Sequence, residues 1–535
     1  MTRIRRALLS VYDKTDIVDL ANLLHKLDCE IIASGGTLKT LREANIPAIE
    51  ISAYTGNPEI FGGRVKTISY QIAAGILGDR GKDAQEAEKH NIQNIDLVVC
   101  NFYPFDQMKD SEAELTDLIE YIDIGGPTMI RAAAKNYKYV TVLTDPNQYK
   151  QLMEELSDND GHISEETRFN LMRQAFNYSA DYEADIATTL DKFADINSIR
   201  LSYEHGREMR YGENPHQNGV FFKRSLSVNS IHDMKILHGK ELSYNNIVDI
   251  DGAIQAVHDL QPNGCVIIKH TNPCGYAQGD IQAEVFKTAW EGDPISAFGS
   301  IIAFNTPLKY ETVGYLDLDN PNKSKRKFVE VIIAPGYEKE ALEYLQKSKN
   351  LRIIKYDPSE FIDPYQMKPV QGGLLVQNRD AELYEELRVV TRKAIDLDKR
   401  VRLIEFGIAA SKHIKSNAIV LVRETKDNAL QLLGMGAGQP NRVASVKLAI
   451  EKAKENLQAE YDGEDFESYY LQEMKKAILV SDAFFPFADS IEAVAKEGIE
   501  LVVQPGGSIR DKSVIKTCDE LEVAMIFTQR RHFKH

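Results

Sequence analysis

The sequence predicts an α/β protein, and its first part predicts a parallel sheet with crossover helices. Four short apolar runs in this part have the length and composition of buried strands, at residues 7–11, 30–33, 96–100 and 140–143. Helical patterns lie between these runs, and strands that alternate with helices form parallel sheets. From residue 196 onward the chain again mixes strand and helix patterns. We therefore predict a first domain over residues 1–195 and a second region over residues 196–535.

A long helix is predicted near the end of the first domain. Its apolar residues recur at the spacing of one helical face, at Phe169, Met172, Phe176 and Ala180. An apolar stripe of this kind usually packs against a core, and we interpret it in that way.

Length and composition indicate a globular protein of several domains. A chain of 535 residues is too long for one hydrophobic core. Its 43% hydrophobic and 27% charged residues are ordinary for a soluble protein. The 80 acidic residues exceed the 64 basic ones, and a net charge of −16 argues against nucleic acid as a partner. A small anionic ligand needs only a locally positive pocket, so that class of ligand stays open.

Cysteine usage argues against a disulfide framework and a structural zinc site. The five cysteines are scattered and form no Cys-x-x-Cys pair. Pro273-Cys274 matches the start of the Pro-Cys-x-x-Cys signature of zinc deaminases, but Ala277 replaces the second cysteine and no His-x-Glu box precedes it. We therefore reject a zinc deaminase and expect no catalytic metal. The first apolar run is too short for a signal peptide or a membrane span, so we expect a cytoplasmic protein without a membrane partner.

Several turns in the first domain have the chemistry of anion sites. The segment 34–37, Ser-Gly-Gly-Thr, follows a strand and opens a helix, so its N–H groups and hydroxyls are able to surround an oxyanion. Four further turns carry cations, amides or glycines, at Lys14, residues 64–67, residues 101–105 and residues 123–126 before a helix with Arg131 and Lys135. A single Gly-Gly turn usually only bends the chain. Five such turns at the carboxyl edge of a parallel sheet favour a phosphorylated ligand.

Residues 265–275 contain the pattern that points most directly to catalysis. A β-branched run ends in Lys269-His270, and turn residues follow. A strand end holds such groups rigidly while the loop exposes them. A lysine beside an imidazole suits general base catalysis on a weak nucleophile. The alternative is a surface lysine beside a histidine that merely ends a strand, and the segment alone does not decide between the two.

Two other segments of the second region stand out, and the second of them indicates binding of an anion. Lys415-Ser416-Asn417 precedes an apolar strand over residues 418–422. The glycine-rich segment 434–442 opens a helix and ends in Arg442, which favours close backbone approach to an anion.

The last part of the chain offers aromatic side chains beside a carboxylate. In residues 481–489, Phe484 and Asp489 suit a planar ring with amino substituents. A hydrophobic staple before a helix over residues 489–497 explains the same composition somewhat more simply. The basic residues 530–535 have the composition of a disordered tail, as many termini do.

Taken together, these segments resemble the AICAR formyltransferase and IMP cyclohydrolase family over essentially the whole chain. The matching segments are residues 34–37, 63–67, 101–105, 123–136, 210–217, 269–275, 293–299, 415–417, 434–442, 481–489, 505–508 and 531–535. The resemblance implies a methylglyoxal-synthase-like α/β domain, followed by a formyltransferase of two cytidine-deaminase-like halves without zinc. It also implies a homodimer with formyltransferase sites at the subunit interface.

The first reaction implied by the resemblance is formyl transfer from 10-formyltetrahydrofolate, as cosubstrate, to the 5-amino group of AICAR, which gives FAICAR. His270 is implied to take the proton, and Lys269 to stabilise the oxyanion or assist the departing folate nitrogen. The residues implied to bind AICAR are Arg210, Tyr211, Asn246, Gly299, Asn417 and Arg442. The residues implied to bind the folate are Phe484, Asp489, Ser508 and Arg531.

The second implied reaction closes the ring of FAICAR with loss of water and gives IMP. The positions implied to handle protons are Lys66, Tyr103, Asp123 and Lys135. The two lysines are expected to stabilise negative charge, and Asp123 to orient the amide nitrogen. The residues implied to hold the nucleotide, chiefly its phosphate, are Ser10, Lys14, Ser34, Gly35, Gly36, Thr37, Arg64, Thr67, Asn101, Gly125 and Gly126.

The chain departs from the family pattern in the cyclohydrolase domain. Tyr12 stands where serine is usual, residues 68–70 read Ile-Ser-Tyr in place of Leu-His-Pro, and Ala73 replaces a second histidine. Three hypotheses follow: an enzyme of both steps, a formyltransferase whose cyclohydrolase domain is weakened or inactive, and a nucleotide sensor without turnover. The retained acid–base residues favour the enzyme of both steps.

Overall fold

The computed structural model describes residues 1–103, 105, 114–225, 230–357 and 363–535. Pro104, within the matching segment 101–105, lies outside these residues. The chain divides into two compact units, Met1–Ser202 and Tyr203–His535. None of the helices in the described ranges combines the length and apolar character needed to cross a bilayer.

A five-stranded parallel sheet is the centre of the first unit. Its strands are β2 (Arg6–Val11), β3 (Glu30–Ala33), β4 (Ile49–Glu50), β5 (Leu97–Asn101) and β6 (Thr141–Leu143), in the order β4-β3-β2-β5-β6. Strands β1 (Thr2–Arg3) and β7 (His162–Ile163) form a separate antiparallel pair. The prediction of a parallel sheet from four apolar runs is confirmed, with bounds that differ by one residue.

Helices cover both faces of this sheet. They are α1 (Ile17–Lys26), α2 (Gly35–Glu43), α3 (Ile51–Thr55), α4 (Tyr70–Leu77), α5 (Ala84–Lys89), α6 (Leu115–Glu120), α7 (Gly125–Lys135), α8 (Tyr149–Asp158) and α9 (Glu165–Phe193). Within β2, Ala7 and Leu9 pack with α1 and α8, whereas Leu8 packs with α4 and α7. Such two-sided burial explains why the strands are continuous apolar runs.

The long helix α9 exists, but the prediction of its buried stripe is wrong. Phe169 and Phe176 are 48% and 37% exposed. The helix instead buries Leu171, Ala175 and Ser179. Ala175 packs in one cluster with alanines of α7, and small side chains there let the two helices approach closely. The apolar spacing alone did not distinguish this face from the neighbouring one.

A twelve-stranded mixed sheet is the centre of the second unit. Its strands are β10 (Lys235–His238), β11 (Cys265–Lys269), β12 (Asn272–Gln278), β13 (Ser300–Phe304), β14 (Val329–Ala334), β15 (Arg352–Lys355), β18 (Arg388–Val389), β19 (Ile419–Glu424), β20 (Leu430–Gly436), β21 (Ile478–Ser481), β22 (Leu501–Gln504) and β23 (Ala524–Phe527). Strands β8 (Tyr203–Met209) and β9 (Gly219–Arg224) pair separately, as do β16 (Tyr365–Val370) and β17 (Gly373–Asn378).

The order of the long sheet repeats the same topology in two halves. It runs β10-β15-β14-β13-β11-β12 and then β20-β19-β21-β22-β23-β18. Each half has an antiparallel hairpin, a three-stranded parallel run and an antiparallel edge strand. The halves meet where β12 pairs with β20 through Ala277–Gln431 and Gln278–Leu430. The likeness of each half to cytidine deaminases stays a prediction.

Helices also cover both faces of the long sheet. They are α10 (Tyr244–His258), α11 (Gln282–Glu291), α12 (Pro294–Ala297), α13 (Tyr310–Val313), α14 (Lys339–Leu345), α15 (Leu397–Lys412), α16 (Arg442–Glu460), α17 (Phe466–Lys476), α18 (Asp489–Lys496) and α19 (Asp511–Glu520). Helices α10 and α15 pack in one core cluster that spans both halves. The other face carries one cluster for each half, with α11 in the first and α16 in the second.

Candidate active sites

Nearly all residues predicted for ring closure line one cavity of about 940 Å³ in the first unit. The loops after β2, β3 and β5 and the start of α7 form its walls, so the cavity lies at the carboxyl edge of the parallel sheet. The predicted residues on its lining are Ser10, Lys14, Ser34, Gly36, Thr37, Arg64, Lys66, Thr67, Asn101, Tyr103, Asp123, Gly125 and Gly126. Gly35 lies beside it, because a Cβ there would stand 3.7 Å from the Lys66 Nζ.

The segment 34–37 forms a cradle of N–H groups and hydroxyls at the N-terminus of α2. The Ser34 Oγ lies 2.9 Å from the Ser10 Oγ. The Thr37 Oγ1 accepts from the Val11 N–H at 2.9 Å and donates to the Val11 carbonyl at 3.1 Å. A Cβ on Gly36 would stand 3.3 Å from the Lys14 Cε, so the lysine stem lies directly against this turn. A helix N-terminus with an adjacent ammonium group suits a phosphate.

Asn101 fixes the loop after β2. Its Oδ1 accepts from the N–H groups of Tyr12 at 2.6 Å and Asp13 at 2.9 Å, and its Nδ2 donates to the Asp13 carbonyl at 3.1 Å. The Tyr12 ring then meets the Tyr103 ring edge-on, with 5.5 Å between centroids. The unusual Tyr12 is therefore part of the cavity wall.

Asp123 occupies the turn before α7, opposite Lys66. Its Oδ1 accepts from the Gly126 N–H at 2.9 Å. A Cβ at 125 or 126 would displace a neighbour, because it would stand 2.3 Å from the Thr67 Oγ1 or 2.5 Å from the Asp123 Oδ2 respectively. Burial raises the pKa of the Asp123 carboxyl, while the Gly126 N–H and the charge of Lys66 oppose that rise. The Arg64 guanidinium pairs with Glu120 at the rim.

Lys135 lies apart from the other predicted groups of this domain. It lines a neighbouring, largely apolar cavity of about 830 Å³ between α4, α7 and α9. Thr67 and Asp123 line both cavities. The structure therefore brings Lys66, Tyr103 and Asp123 together, and places Lys135 behind them.

The departures at residues 68–73 fall on this second cavity. Ser69 caps α4 by accepting from the Gln71 N–H at 3.2 Å. Ser69, Tyr70 and Ala73 all line the apolar cavity and are absent from the described lining of the first one. The residues that differ from the family pattern there therefore lie outside the described lining of the cavity that contains the Ser34–Thr37 cradle.

In the second unit, Lys269 and His270 stand at the end of β11. The Lys269 Nζ donates to the Phe298 carbonyl at 2.8 Å and to the Gly299 carbonyl at 3.2 Å. Gly299 has a φ of +71°, and a Cβ there would stand 3.4 Å from the Lys269 Nζ. His270 is exposed in the turn that follows the strand. The ammonium group is thus held by two carbonyls, and the next residue along the chain carries a solvent-accessible imidazole.

Asp249 and Asn272 hold this turn, and the sequence interpretation missed both. His270 and Thr271 have positive φ values of 50° and 64°, and such values cost conformational free energy for residues other than glycine. The Asp249 Oδ1 accepts from the Thr271 N–H at 2.7 Å, and burial raises the pKa of this carboxyl. The Asn272 Nδ2 donates to the His270 carbonyl at 3.1 Å, and its Oδ1 accepts from the Lys415 N–H at 3.1 Å. Asn272 therefore links the His270 turn to the Asn417 loop.

Arg442 is buried and oriented by neighbouring side chains. Its Nη2 donates to the Asn417 Oδ1 at 2.8 Å, and its Nη1 donates to the Ser481 Oγ at 3.1 Å. It also forms an ion pair with the fully buried Asp482. The Asn417 Nδ2 donates to the Gln439 carbonyl at 2.7 Å. Much of the charge of Arg442 is thus compensated within the protein.

The basic end of the chain packs beside this loop, so its interpretation as a disordered tail is wrong. His532 is 3% exposed, and its Nδ1 lies 2.7 Å from the Asp380 Oδ2. The His532 N–H donates to the Asp482 carbonyl at 2.9 Å, and the Ser416 N–H donates to the Lys534 carbonyl at 2.9 Å. These bonds fix the segment that carries the exposed Arg531.

The remaining candidates for AICAR binding occupy a loop next to α10. Arg210 stacks on Tyr211, with 4.8 Å between its guanidinium carbon and the ring centroid. The Asn245 Nδ2 donates to the Glu213 carbonyl at 3.2 Å and so ties this loop to α10. Asn246 takes part in the capping box of α10 with Ser243.

The candidates for folate binding occupy the loops before α18 and α19. Phe484 is half-buried, whereas Asp489 is exposed at the first position of α18. The Asp489 Oδ1 accepts from the Ser490 N–H at 2.8 Å. The Ser508 N–H donates to the Asp511 Oδ2 at 3.1 Å. Phe484 and Ser508 thus lie in these two loops and Asp489 at the start of α18, whereas Arg531 lies in the last segment of the chain. No hydrogen bond between these four residues and the His270 turn occurs among the described residues.

Together, the fold and these clusters define an α/β enzyme with two centres in two compact units. One centre has a cradle suited to phosphate together with a lysine and a half-buried carboxylate, and the other has a fixed lysine followed in the chain by an exposed histidine. Within the described ranges, no group of three or more His, Cys, Asp or Glu side chains is placed to hold a metal ion.

Comparisons with known proteins identify the family. Residues 133–452 match the AICARFT/IMPCHase bienzyme family, and residues 16–128 match the MGS-like domain family. A protein of Clostridium botulinum (strain Okra / Type B1), named bifunctional purine biosynthesis protein PurH, is 41% identical over 534 residues, which cover 99% of this chain and 100% of the relative. A protein of the same name from Aquifex aeolicus (strain VF5) is 43% identical over 538 residues, with 99% and 100% covered.

The chain belongs to the AICARFT/IMPCHase bienzyme family. It is a bifunctional enzyme of purine biosynthesis, with AICAR formyltransferase and IMP cyclohydrolase activities. Because the similarity extends over the whole length, it supports the enzyme of both steps over a formyltransferase with an inactive first domain.

Proposed function

We propose that the first cavity closes the ring of FAICAR and that the Lys269–His270 cluster transfers the formyl group from 10-formyltetrahydrofolate to AICAR. The observation that carries this proposal is the separation of the two residue sets into two compact units, each with its own cluster. Each unit thus has the groups that one reaction needs.

In formyl transfer, His270 acts as the general base. The AICAR amine is a weak nucleophile, because its lone pair is delocalised into the ring that bears the carboxamide. The amine attacks the formyl carbon and gives a tetrahedral oxyanion, and the proton of the amine passes to His270. The bond from that carbon to the folate nitrogen then breaks, and the folate nitrogen takes the proton back from His270. Lys269, held by the Phe298 and Gly299 carbonyls, stabilises the oxyanion between these steps.

In ring closure, the carboxamide nitrogen of FAICAR attacks its own formyl carbon, and the formyl oxygen leaves as water. One proton of this water comes from the carboxamide nitrogen and the other from the formamide nitrogen, whose bond to the formyl carbon becomes a double bond as the C–O bond breaks. The cradle at residues 34–37 and Lys14 hold the phosphate. Asp123 accepts a hydrogen bond from the attacking nitrogen and so orients it. Lys66 stabilises negative charge on the oxygen that becomes water. Lys135 stabilises negative charge from the neighbouring cavity, which Asp123 also lines.

A homodimer belongs to the same proposal, and the hairpin of β16 and β17 supports it. This hairpin pairs with no other strand among the described residues. Its apolar side chains face solvent, with Leu375 60% and Tyr365 49% exposed. An isolated two-stranded hairpin is marginal in water, so we expect a second copy of the chain to cover it. Light scattering with Leu375→Asp tests this: the variant should shift the protein from dimer toward monomer, and an unchanged mass would refute this role of the hairpin.

A product assay tests the proposed function. The protein is mixed with AICAR and 10-formyltetrahydrofolate, and products are followed by chromatography. IMP formation above a protein-free control supports both steps. Accumulated FAICAR indicates transfer alone, and binding without product indicates a sensor.

A further inference from the structure

Two tyrosines on α9 hold the two loops that carry Tyr103 and Asp123. The hydroxyl of Tyr178 accepts from the Phe102 N–H at 2.9 Å. The hydroxyl of Tyr182 accepts from the Asp123 N–H at 2.8 Å. Because the two tyrosines are four residues apart, they stand on one face of the helix. One rigid helix therefore fixes the backbone of Asp123, a proposed proton-handling group, and of Phe102, which directly precedes Tyr103, another such group.

The ring of Phe102 completes this arrangement. It stacks on Tyr178 with 4.6 Å between centroids and lies 4.5 Å from the Tyr182 ring. Phe102 is buried, so the loop after β5 is held by packing as well as by a hydrogen bond. The Tyr182 hydroxyl also donates to the Tyr121 carbonyl at 3.3 Å, which closes the turn from residue 121 to residue 123. Tyr182 thus contacts both loops.

These hydroxyls satisfy backbone groups that the regular structure leaves unpaired. Phe102 follows the last residue of β5, and Asp123 precedes α7, so neither N–H belongs to a described strand or helix. A buried N–H without a partner is costly, and its loop then moves to find one. Burial raises the pKa of Tyr178 and of Tyr182 to about 12, so both hydroxyls stay neutral at the pH of catalysis.

We propose that Tyr178 and Tyr182 are positioning residues for ring closure, with Tyr182 setting the place of Asp123. This rests on the proposed function of the first cavity. Neither hydroxyl belongs to the described lining of that cavity, so both act through the backbone of other residues. The phosphate cradle at residues 34–37 is held by separate bonds to Ser10 and Val11 and does not depend on α9.

Tyr182→Phe tests the proposal, because it keeps the ring and removes both hydrogen bonds. We expect kcat for cyclisation of supplied FAICAR to fall roughly ten- to hundred-fold, the scale of a small misplacement of a catalytic group. KM should change less than about two-fold, because the phosphate cradle is intact. Formyl transfer in the same protein should be unchanged. A partial loss of folded first unit would not lower kcat once the rates are expressed per folded protein.

Tyr139→Phe is the matched control. It removes one tyrosine hydrogen bond in the same unit, from the Tyr139 hydroxyl to the Asp79 Oδ1 at 3.1 Å, away from the lining of the first cavity. Its kcat for ring closure should equal that of the parent. Thermal unfolding gives the fraction of folded protein, and all rates are expressed per folded protein. If Tyr182→Phe does not fold, the kcat of Tyr178→Phe for ring closure serves as the test instead. The proposal is overturned if both tyrosine variants match Tyr139→Phe, or if the loss appears only in KM.

Asp123→Asn separates this inference from the proposed function. If Asp123→Asn closes the ring at the parent rate, the assignment of the cavity fails. If Asp123→Asn loses ring closure while Tyr178→Phe and Tyr182→Phe keep it, the cavity is correctly assigned and only the positioning role fails.

Discussion

The two centres of this enzyme are built on different principles. In the first unit, consecutive residues at the ends of parallel strands form one cavity, and backbone N–H groups at the start of α2 supply much of its chemistry. In the second unit, the important side chains are held by other side chains that are distant in sequence, as Asp249 holds the His270 turn and Asp482 holds Arg442. The difference teaches that short motifs mark the first kind of site, although Asn101 and Tyr182 hold its loops from a distance, whereas the second kind is scarcely marked by short motifs and depends on long-range contacts.

The strongest test of this division is His270→Ala. We expect formyl transfer to fall roughly 100-fold or more, the usual scale for a lost general base, while cyclisation of supplied FAICAR is unchanged. Each reaction is assayed separately with its own substrate. His205→Ala, an exposed histidine of the same unit, should keep both activities. Loss of both steps in folded His270→Ala would contradict two independent centres.

Lys66→Ala should give the reverse pattern. Without its ammonium group, ring closure should fall on the order of 100-fold, because stabilisation of the developing charge is lost. Formyl transfer should stay at the parent rate, as measured from FAICAR formation. Lys89→Ala, an exposed lysine on α5, is the control and should change neither rate. A joint loss of both reactions would show that the units share one centre.

Gly126→Ala sharpens the comparison within the first unit. A Cβ at this position would stand 2.5 Å from the Asp123 Oδ2 and 2.8 Å from the Phe102 ring, so the Asp123 side chain or the turn that carries it must shift. We expect ring closure to fall roughly ten-fold through misplacement of Asp123. Gly252→Ala, on α10 with open space around its Cβ position, should leave ring closure unchanged. Equal rates for the two variants would show that this turn tolerates displacement.

The smallest expected effect is a selective loss of stability of the second unit in mild acid. Burial lowers the pKa of His413 from 6.5 to about 4, with Asp259, Lys412 and Lys534 around it. The unfolded chain therefore takes up the proton first as the pH falls below about 6.5, and stability is lost until about pH 4. Between about pH 7.5 and about pH 5.5 we expect a loss on the order of 1 kcal/mol.

Trp290 makes this measurement specific, because it is the single tryptophan of the chain and is buried in the second unit. Urea unfolding followed by its fluorescence gives the free energy of unfolding of that unit at each pH. A free energy that does not change over this pH range would contradict the buried, neutral state of His413.

Much of the first unit was predictable from the sequence, because its signals are local. The apolar runs marked the strands, and the Gly-Gly turns marked the cavity, since a buried parallel strand and a helix N-terminus each need particular neighbouring residues. The stripe on α9 failed because two adjacent faces of that helix carry apolar residues. Only contact with α7 selects the face with Ala175 and Ser179.

The second centre was predictable only in part. The Lys269–His270 pair was predicted from the sequence. No local sequence pattern predicts the contacts of Asp249, Asn272 and Asp482. The composition of residues 530–535 predicted a free tail, whereas hydrogen bonds to Asp482 and Ser416 fix it. In the structure, Lys135 lines the cavity next to the one that Lys66 lines. The sequence did not predict this, because spacing along α7 does not reveal which face of the helix borders which cavity.

The short pairing between β12 and β20, called the seam below, determines whether the two halves of the second unit can be produced separately. Only two residue pairs join the strands there, but the Gln431 Nε2 crosses the seam to the Thr288 carbonyl at 2.9 Å. Splitting the gene between the two halves would leave β12 paired only with β11 and β20 paired only with β19. Each fragment would then expose an unpaired strand edge that is prone to aggregation. We expect each fragment to be insoluble when it is expressed alone, and both fragments to be soluble when they are expressed together.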